Sequence, residues 1–338
     1  MEYRLIISII KTNTHSGEVI KIIVTGAVGF IGMHVARQLL ERGDEVLGID
    51  NLNDYYDPAL KLARLEQLKT FSNFSFIQCD ISDQDHLNNI FSDFKPKKIV
   101  HLAAQAGVRY SLINPLAYGK SNLSGFLNIL EASRTHQIAH LVFASSSSVY
   151  GNSNQLPLSE DQIIAKPISL YAATKASNEL MAYSYSHLYG LKVTGLRYFT
   201  VYGPWGRPDM APWIFTSKLL KGEPITVFNH GDMIRDFTYI DDAAEATVRL
   251  LDADLKEGYN IVNIGHSHPE KLMDFIGALE KSLTCKAKIN FEKIQDGDVT
   301  STHANTMKLQ SLTNFKPKVS MAKGVISWVN WYREYIKN

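Results

Sequence analysis

The stretch KIIVTGAVGFIGMHVARQLLERGDEVLGIDN, residues 21–51, organises the chain. It opens on Ile22-Ile23-Val24, an apolar run rich in β-branched residues that suits a strand buried on both faces. Gly26, Gly29 and Gly32 follow at a spacing of three. The chain then turns helical, with Phe30, Val35, Leu39 and Leu40 forming one apolar face until Gly43 stops it. A second strand over 45–49 ends on an acid, Asp50.

Each part has a physical job. Glycines permit a tight turn, and without a Cβ the backbone can approach a pyrophosphate at a helix N-terminus, where free N–H groups and the helix dipole favour negative charge. Asp50 stands about where an acid accepts hydrogen bonds from an adenosine ribose diol. It would repel a ribose phosphate, which favours NAD over its phosphorylated relative. The candidate cofactor contacts here are Gly26, Gly29, Phe30, Ile31, Gly32, Asp50 and Asn51. An ordinary glycine turn is the bland alternative. The GxxGxxG spacing resembles the variant found in the short-chain dehydrogenase/reductase superfamily.

Downstream, strand and helix alternate. A polar loop, NLNDYYD, leads to a helix with Pro58 in its first turn. A short strand over 74–77 ends near Cys79, Asp80 and Ile81, where Asp80 could meet the adenine edge. After a helix over 84–94, a buried strand over 98–102 closes into AAQAGVR; its small residues from Leu102 through Ala103 and Ala104 to Gln105 would let backbone lie against the cofactor. A helix over 115–134 and a strand over 140–144 follow. This alternation predicts an α/β fold, a Rossmann-type doubly wound parallel sheet. From Val201 the proline- and glycine-rich YGPWGRPDMAPW opens a smaller α/β C-terminal region for substrate. The expected division is a dinucleotide-binding domain over 21–200, with a segment returning to the main sheet at about 237–262, and a substrate region over 201–338. Residues 1–20 read either as an extra strand or as a mis-assigned start, with the native chain beginning near Val19.

The chain has 338 residues and a formal charge of +1, which implies no bulk attraction to nucleic acid or anionic membrane. No apolar run approaches the roughly 20 residues that span a bilayer. Two cysteines, Cys79 and Cys285, give neither a disulfide framework nor a thiolate cluster and suit a reducing cytoplasm. His136 with His140, and His266 with His268, have ligand-like spacings but no third ligand, so no metal site is expected.

Two motifs carry chemistry. The strand over 140–144 runs into SSSSVYG, placing four hydroxyls at the carboxyl end of a parallel strand, where such sheets bind ligands; turn chemistry alone could also explain them. Tyr171-Ala-Ala-Thr-Lys175 lies on a helix, and a spacing of four puts phenol and ammonium on one face. A nearby cation lowers a phenol from its ordinary pKa of about 10. That would make Tyr171 a general base.

Together with NLNDYYDPALKLARL, AAQAGVRYSLINPLAY, SNLSGFLNILE, LRYFTVYGPWGRPDMA, FNHGDMIRDFTYIDD and GDVTSTHAN, these motifs resemble the extended short-chain dehydrogenase/reductases that act on nucleotide sugars, and most of all the UDP-glucuronate 4-epimerases. The resemblance runs from Lys21 to the end. It implies bound NAD, a UDP-sugar substrate and a catalytic set of Ser146, Tyr171 and Lys175. Ser146 would hydrogen-bond the sugar's 4-hydroxyl, Tyr171 would be the base, and Lys175 would hold the nicotinamide ribose and tune the tyrosine. Further cofactor contacts are implied at Asp80, Ile81, Asn122 and Tyr198, alongside Leu102, Ala103, Ala104 and Gln105. Substrate contacts are implied at Arg109, Ser147, Ser148, Arg235 on the diphosphate, and Asp298 on ribose or uracil. Relatives that epimerise UDP-glucose usually carry asparagine after RYF; here Thr200 stands there, and Arg207 follows. A hydroxyl and a guanidinium at carbon 6 would suit a carboxylate, since arginine offers it a planar fork; a solvated loop cation is the alternative for Arg207. Val28 and Asp296 depart from the usual alanine and proline.

The implied reaction is inversion at carbon 4 through a transient 4-keto sugar. Decarboxylating and dehydrating relatives place an acid two residues before the VYG tyrosine; Ser148 stands there in this chain. A 4-epimerase for a neutral or N-acetylated UDP-hexose, and a non-catalytic NAD-binding regulator, are the competing expectations. Relatives commonly pair the helices over 115–134 and 171–189 into a homodimer.

Overall fold

The computed structural model describes residues 19–164, 166–295 and 297–337. The expectations for residues 1–18 and for Asp296 lie outside the described residues.

The first six strands are β1 (Lys21–Thr25), β2 (Glu45–Asp50), β3 (Phe74–Gln78), β4 (Lys98–His101), β5 (His140–Ser146) and β6 (Val193–Tyr198). The later ones are β7 (Thr200–Tyr202), β8 (Ile225–Val227), β9 (Ile234–Tyr239), β10 (Tyr259–Ile264), β11 (Pro269–Lys271) and β12 (Ile289–Phe291). Seven strands form one sheet in the order β10-β6-β5-β4-β1-β2-β3, and every neighbouring pair is parallel. This is the doubly wound arrangement expected. Strand order reverses between β1 and β4, so the loops after them diverge and open a crevice at their carboxyl ends.

The strands are apolar throughout because both faces are covered. Alternate residues feed opposite layers: Ile22 and Val24 pack with Met33, Leu39 and Ala243, whereas Ile23 packs with Phe91, Phe126 and Ile129. Helix Phe30–Arg42 ends where Gly43 takes φ +101° and its N–H reaches the Leu39 and Leu40 carbonyls.

Two elements differ from expectation. The stretch over 115–134 is not one regular helix: Pro115–Tyr118 passes through a π-helical segment, Gly119–Gly125, before Phe126–Thr135. The wide turn carries Asn122, whose buried amide bonds Gln105 and Thr174. The return to the main sheet is also later than expected. Phe237 belongs to β9, in a small sheet ordered β11-β9-β7. Helix Ile240–Asp252 then buries Ala243, Ala244, Ala246 and Leu250 beside helix Phe30–Arg42, and β10 is the strand that rejoins the sheet. Alternating apolar residues read alike in β9 and β10; pairing partners, which lie far away in sequence, decide between the sheets. Among the described residues, no helix is long and apolar enough to cross a membrane.

Candidate active site

One continuous cleft runs along the crevice. Its wall includes Gly26, Gly29, Phe30, Ile31, Gly32, Asp50, Asn51, Ile81, Leu102–Gln105, Ser145, Ser146, Tyr171, Lys175, Tyr198 and Arg207. Residues predicted from separate parts of the sequence therefore share one surface.

The glycines are required by contact. Gly26 has φ +67°, and a Cβ there would fall 2.7 Å from the Ala103 nitrogen. A Cβ on Gly32 would fall 1.9 Å from the Gly26 carbonyl oxygen. Gly29 begins the helix with no side chain capping it, which leaves its first N–H groups for a ligand. At the end of β2, Asp50 is buried and accepts from the Leu52 N–H at 2.9 Å. Burial raises its pKa, and Lys61, whose Nζ is 3.9 Å away, opposes the rise. Sequence reasoning misses Lys61. It lies on helix Pro58–Lys69, beyond a loop with no regular period, and only the fold turns it back toward Asp50.

Asp80 stands outside the cleft wall. Its carboxylate accepts from the Ser82 N–H and hydroxyl and pairs with Lys120 at 3.0 Å; these contacts outweigh burial and lower its pKa. Cys79 and Ile81, on either side of it, line the cleft instead. Asn122 is likewise one layer behind the wall. Its Oδ1 accepts from the Gln105 N–H at 2.8 Å, and its Nδ2 donates to the Gln105 carbonyl at 3.0 Å and to Thr174 Oγ1 at 3.0 Å. It shapes the Leu102–Gln105 loop from behind, because the π-helical segment turns its amide inward. Tyr198 lines the cleft and shares a hydrogen bond with Thr247 at 2.7 Å.

Helix Leu170–Tyr189, capped by the Ser169 side chain on the Ala172 N–H, presents Tyr171 and Lys175 to the carboxyl end of β5. Ser146 Oγ accepts from both the N–H and the hydroxyl of Ser148, at 3.2 and 2.8 Å. Its own proton is used in neither bond, and Tyr171 shares the cleft wall with Ser146. Burial raises the Tyr171 pKa, and the polar Ser146 side chain and the Arg207 charge act against that. The lowering expected from Lys175 is corrected here. Lys175 Nζ donates to the Ala144 carbonyl at 2.8 Å, and burial pulls its own pKa down to about 8.

Arg207 reaches this site from the turn after β7. Asp209 accepts from its Nε at 3.0 Å and its Nη2 at 2.7 Å, and the Tyr55 hydroxyl donates to Asp209 at 3.0 Å. Arg207 is thus a wall residue held by an acid, not a solvated loop cation. Thr200 is not in the wall, although Phe199 and Val201 beside it are. Ser147 and Ser148 also lie outside the wall, and Ser148 serves Ser146. Arg235 pairs with Asp298 at 2.8 Å, and Arg109 lies over the Phe228 ring at 5.0 Å; neither arginine lines the cleft. Behind the serines, Glu179 accepts from Ser145 Oγ at 2.5 Å and holds Arg197 through two hydrogen bonds of 2.9 and 2.7 Å. Glu179 follows Tyr171 and Lys175 at a repeat of four, a signal that sequence alone could have used.

The comparisons with known proteins converge. The model of the NAD dependent epimerase/dehydratase family matches residues 22–265. UDP-glucuronate 4-epimerase 4 of Arabidopsis thaliana is 44% identical over 342 residues, covering 96% of this chain and 78% of the relative. Among solved structures, UDP-glucuronic acid 4-epimerase from Bacillus cereus in complex with UDP-glucuronic acid and NAD superposes with a TM-score of 0.88 at 35% identity, covering 94% of this chain and 100% of that one. UDP-glucose 4-epimerase from Thermotoga maritima with UDP-glucose gives 0.86 at 30% identity, covering 94% and 100%.

Proposed function

The chain belongs to the NAD dependent epimerase/dehydratase family, and on that premise we propose that it interconverts UDP-glucuronate and UDP-galacturonate. It is an NAD-dependent 4-epimerase of a UDP-sugar. The residues present fit NAD: the Gly26 and Gly32 backbones approach Ala103 and each other where no Cβ has room, and Asp50 stands buried at the end of β2. Gly26–Gly32 would take the pyrophosphate, Asp50 the adenosine ribose, and Lys175 the nicotinamide ribose. Bound NAD supplies reversible removal and return of a hydride at carbon 4.

The chain's own groups do the rest. Tyr171 takes the 4-hydroxyl proton as the carbonyl forms and returns it after the sugar has turned its other face. Ser146, oriented by Ser148, donates to the developing negative charge on that oxygen. Arg207, on the cleft wall, faces carbon 6 and holds the carboxylate; Thr200, outside the wall, takes no part in this. The observation that carries the uronate reading is the Arg207 guanidinium on the cleft wall that also carries Tyr171, held there by Asp209.

The division into a cofactor domain over 21–200 with a returning segment, and a nucleotide-sugar region over 201–338, follows the same reading. A homodimer is supported by apolar side chains exposed on the helices beside the site, with Leu116 at 83% and Leu180 at 67%; sedimentation would test it. Two free cysteines suit a cytoplasmic enzyme feeding polysaccharide synthesis. The deciding experiment incubates the full chain with UDP-glucuronate without added reductant. UDP-galacturonate is the expected product; turnover of UDP-glucose alone would overturn the uronate assignment.

A further inference from the structure

Arg64, on the helix Pro58–Lys69, has no exposed surface. Its four hydrogen bonds go to neutral groups: the Val28 carbonyl at 3.1 Å, the Tyr56 hydroxyl at 2.6 Å, the Trp205 carbonyl at 2.7 Å and the Gly206 carbonyl at 3.3 Å. Burying a cation against neutral acceptors is costly, so the arrangement calls for a reason. The acceptors supply one. Val28 lies in the glycine-rich loop, Tyr56 in the loop after β2, and Trp205-Gly206 in the turn that immediately precedes Arg207.

A second observation points the same way. Trp205 has φ +63°, a conformation that a bulky residue rarely adopts and that persists only where surroundings over-determine it. Arg64 holds its carbonyl, while its ring packs on Trp331 at 5.3 Å. Gly206 is equally confined, since a Cβ there would fall 3.0 Å from the Trp328 ring.

We propose that Arg64 is a positioning residue for the substrate carboxylate: by gripping the Trp205 and Gly206 carbonyls it imposes the strained turn that aims Arg207 and keys that turn to the glycine-rich loop. The inference rests on the uronate reading above. Two parallel hydrogen-bonding arms are needed, one to each side, which a planar guanidinium provides and an ammonium does not.

The test compares Arg64→Met, Arg64→Lys and Tyr56→Phe with the parent in the full-length, NAD-loaded enzyme. Calorimetry measures the Kd for UDP-glucuronate and for UDP, which lacks the carboxylate. Both Arg64 variants are expected to weaken UDP-glucuronate about tenfold while leaving UDP unchanged, as loss of one charge-assisted contact would. KM should rise with Kd, and kcat should move less. Equal weakening of both ligands would mark a merely structural role and overturn the proposal, as would parental affinity in Arg64→Lys. If the Arg64 variants do not fold, Tyr56→Phe, which keeps the cation and deletes one bond, should shift UDP-glucuronate alone by a smaller factor. No shift there would overturn the proposal. A parent enzyme that turns over UDP-glucose but not UDP-glucuronate would sink the uronate reading itself, a result distinct from unchanged variants of an enzyme active on the uronate.

Discussion

Asp209 grips Arg207 side-on, accepting from Nε at 3.0 Å and from Nη2 at 2.7 Å. The pair leaves the guanidinium charged and fixed in direction. Arg207 holds the Asp209 carboxyl below its ordinary range despite burial, and the Tyr55 hydroxyl fixes the outer oxygen. An arginine held this way meets a carboxylate without first losing side-chain freedom.

Replacing Asp209 with Asn should therefore raise the KM for UDP-glucuronate by about an order of magnitude, the scale of a charge-assisted hydrogen bond. Tyr55→Phe should act in the same direction and less strongly. Steady-state kinetics check both; an unchanged KM in Asp209→Asn would separate the acid from Arg207's aim.

Tyr171→Phe should lower kcat on the order of 10³-fold, because a positioned acid–base group contributes on that scale. The protein should fold and retain NAD, since the phenol lies on the cleft wall and the ring that packs on Tyr118 is kept. Single-turnover assays on protein of measured NAD content give the number. Residual activity near the parent's would remove Tyr171 as the base.

Gly32→Ala should abolish NAD retention, because its Cβ would sit 1.9 Å from the Gly26 carbonyl oxygen, backbone that cannot yield. Cofactor content after purification is the measurement. An NAD-loaded variant would contradict the geometry of the loop.

Glu179→Gln should cost about 3–5 kcal/mol of stability, as expected when one member of a buried ion pair is removed. Glu179 and Arg197 have side chains only 3% and 4% exposed. Denaturant unfolding of the two proteins would show a lower midpoint; an equal midpoint would mean that the pair contributes nothing.

Acid should destabilise the fold well before the carboxylates titrate. Burial, first among the causes, lowers the pKa of His34 and His101 to about 3 and that of His140 to about 4. Unfolded histidines titrate near 6.5, on the order of the ordinary side-chain value. Between those values the unfolded chain binds protons that the folded chain does not, so stability is present above about pH 6.5 and is lost progressively as pH falls toward about 3. Melting temperatures measured from neutral pH down to the acid side of that window test this; a flat profile would refute it.

The doubly wound sheet, the glycine-rich crevice and the gathering of Ser146, Tyr171 and Lys175 in it were legible in the residues alone. Those features are local: strand periodicity, glycine spacing and a helical repeat of four act between residues close along the chain. Other features depended on residues far apart coming together. Asn122 braces Gln105, Lys175 donates to Ala144, and Asp209, Tyr55 and Arg64 set the turn that carries Arg207. Side-chain direction at a site is chosen by which partner satisfies each buried polar group, and those partners are contributed by packing across the sheet and its loops. Local pattern was therefore enough for the frame and for the groups we propose to react, whereas the groups that orient them emerged only once distant loops had packed together.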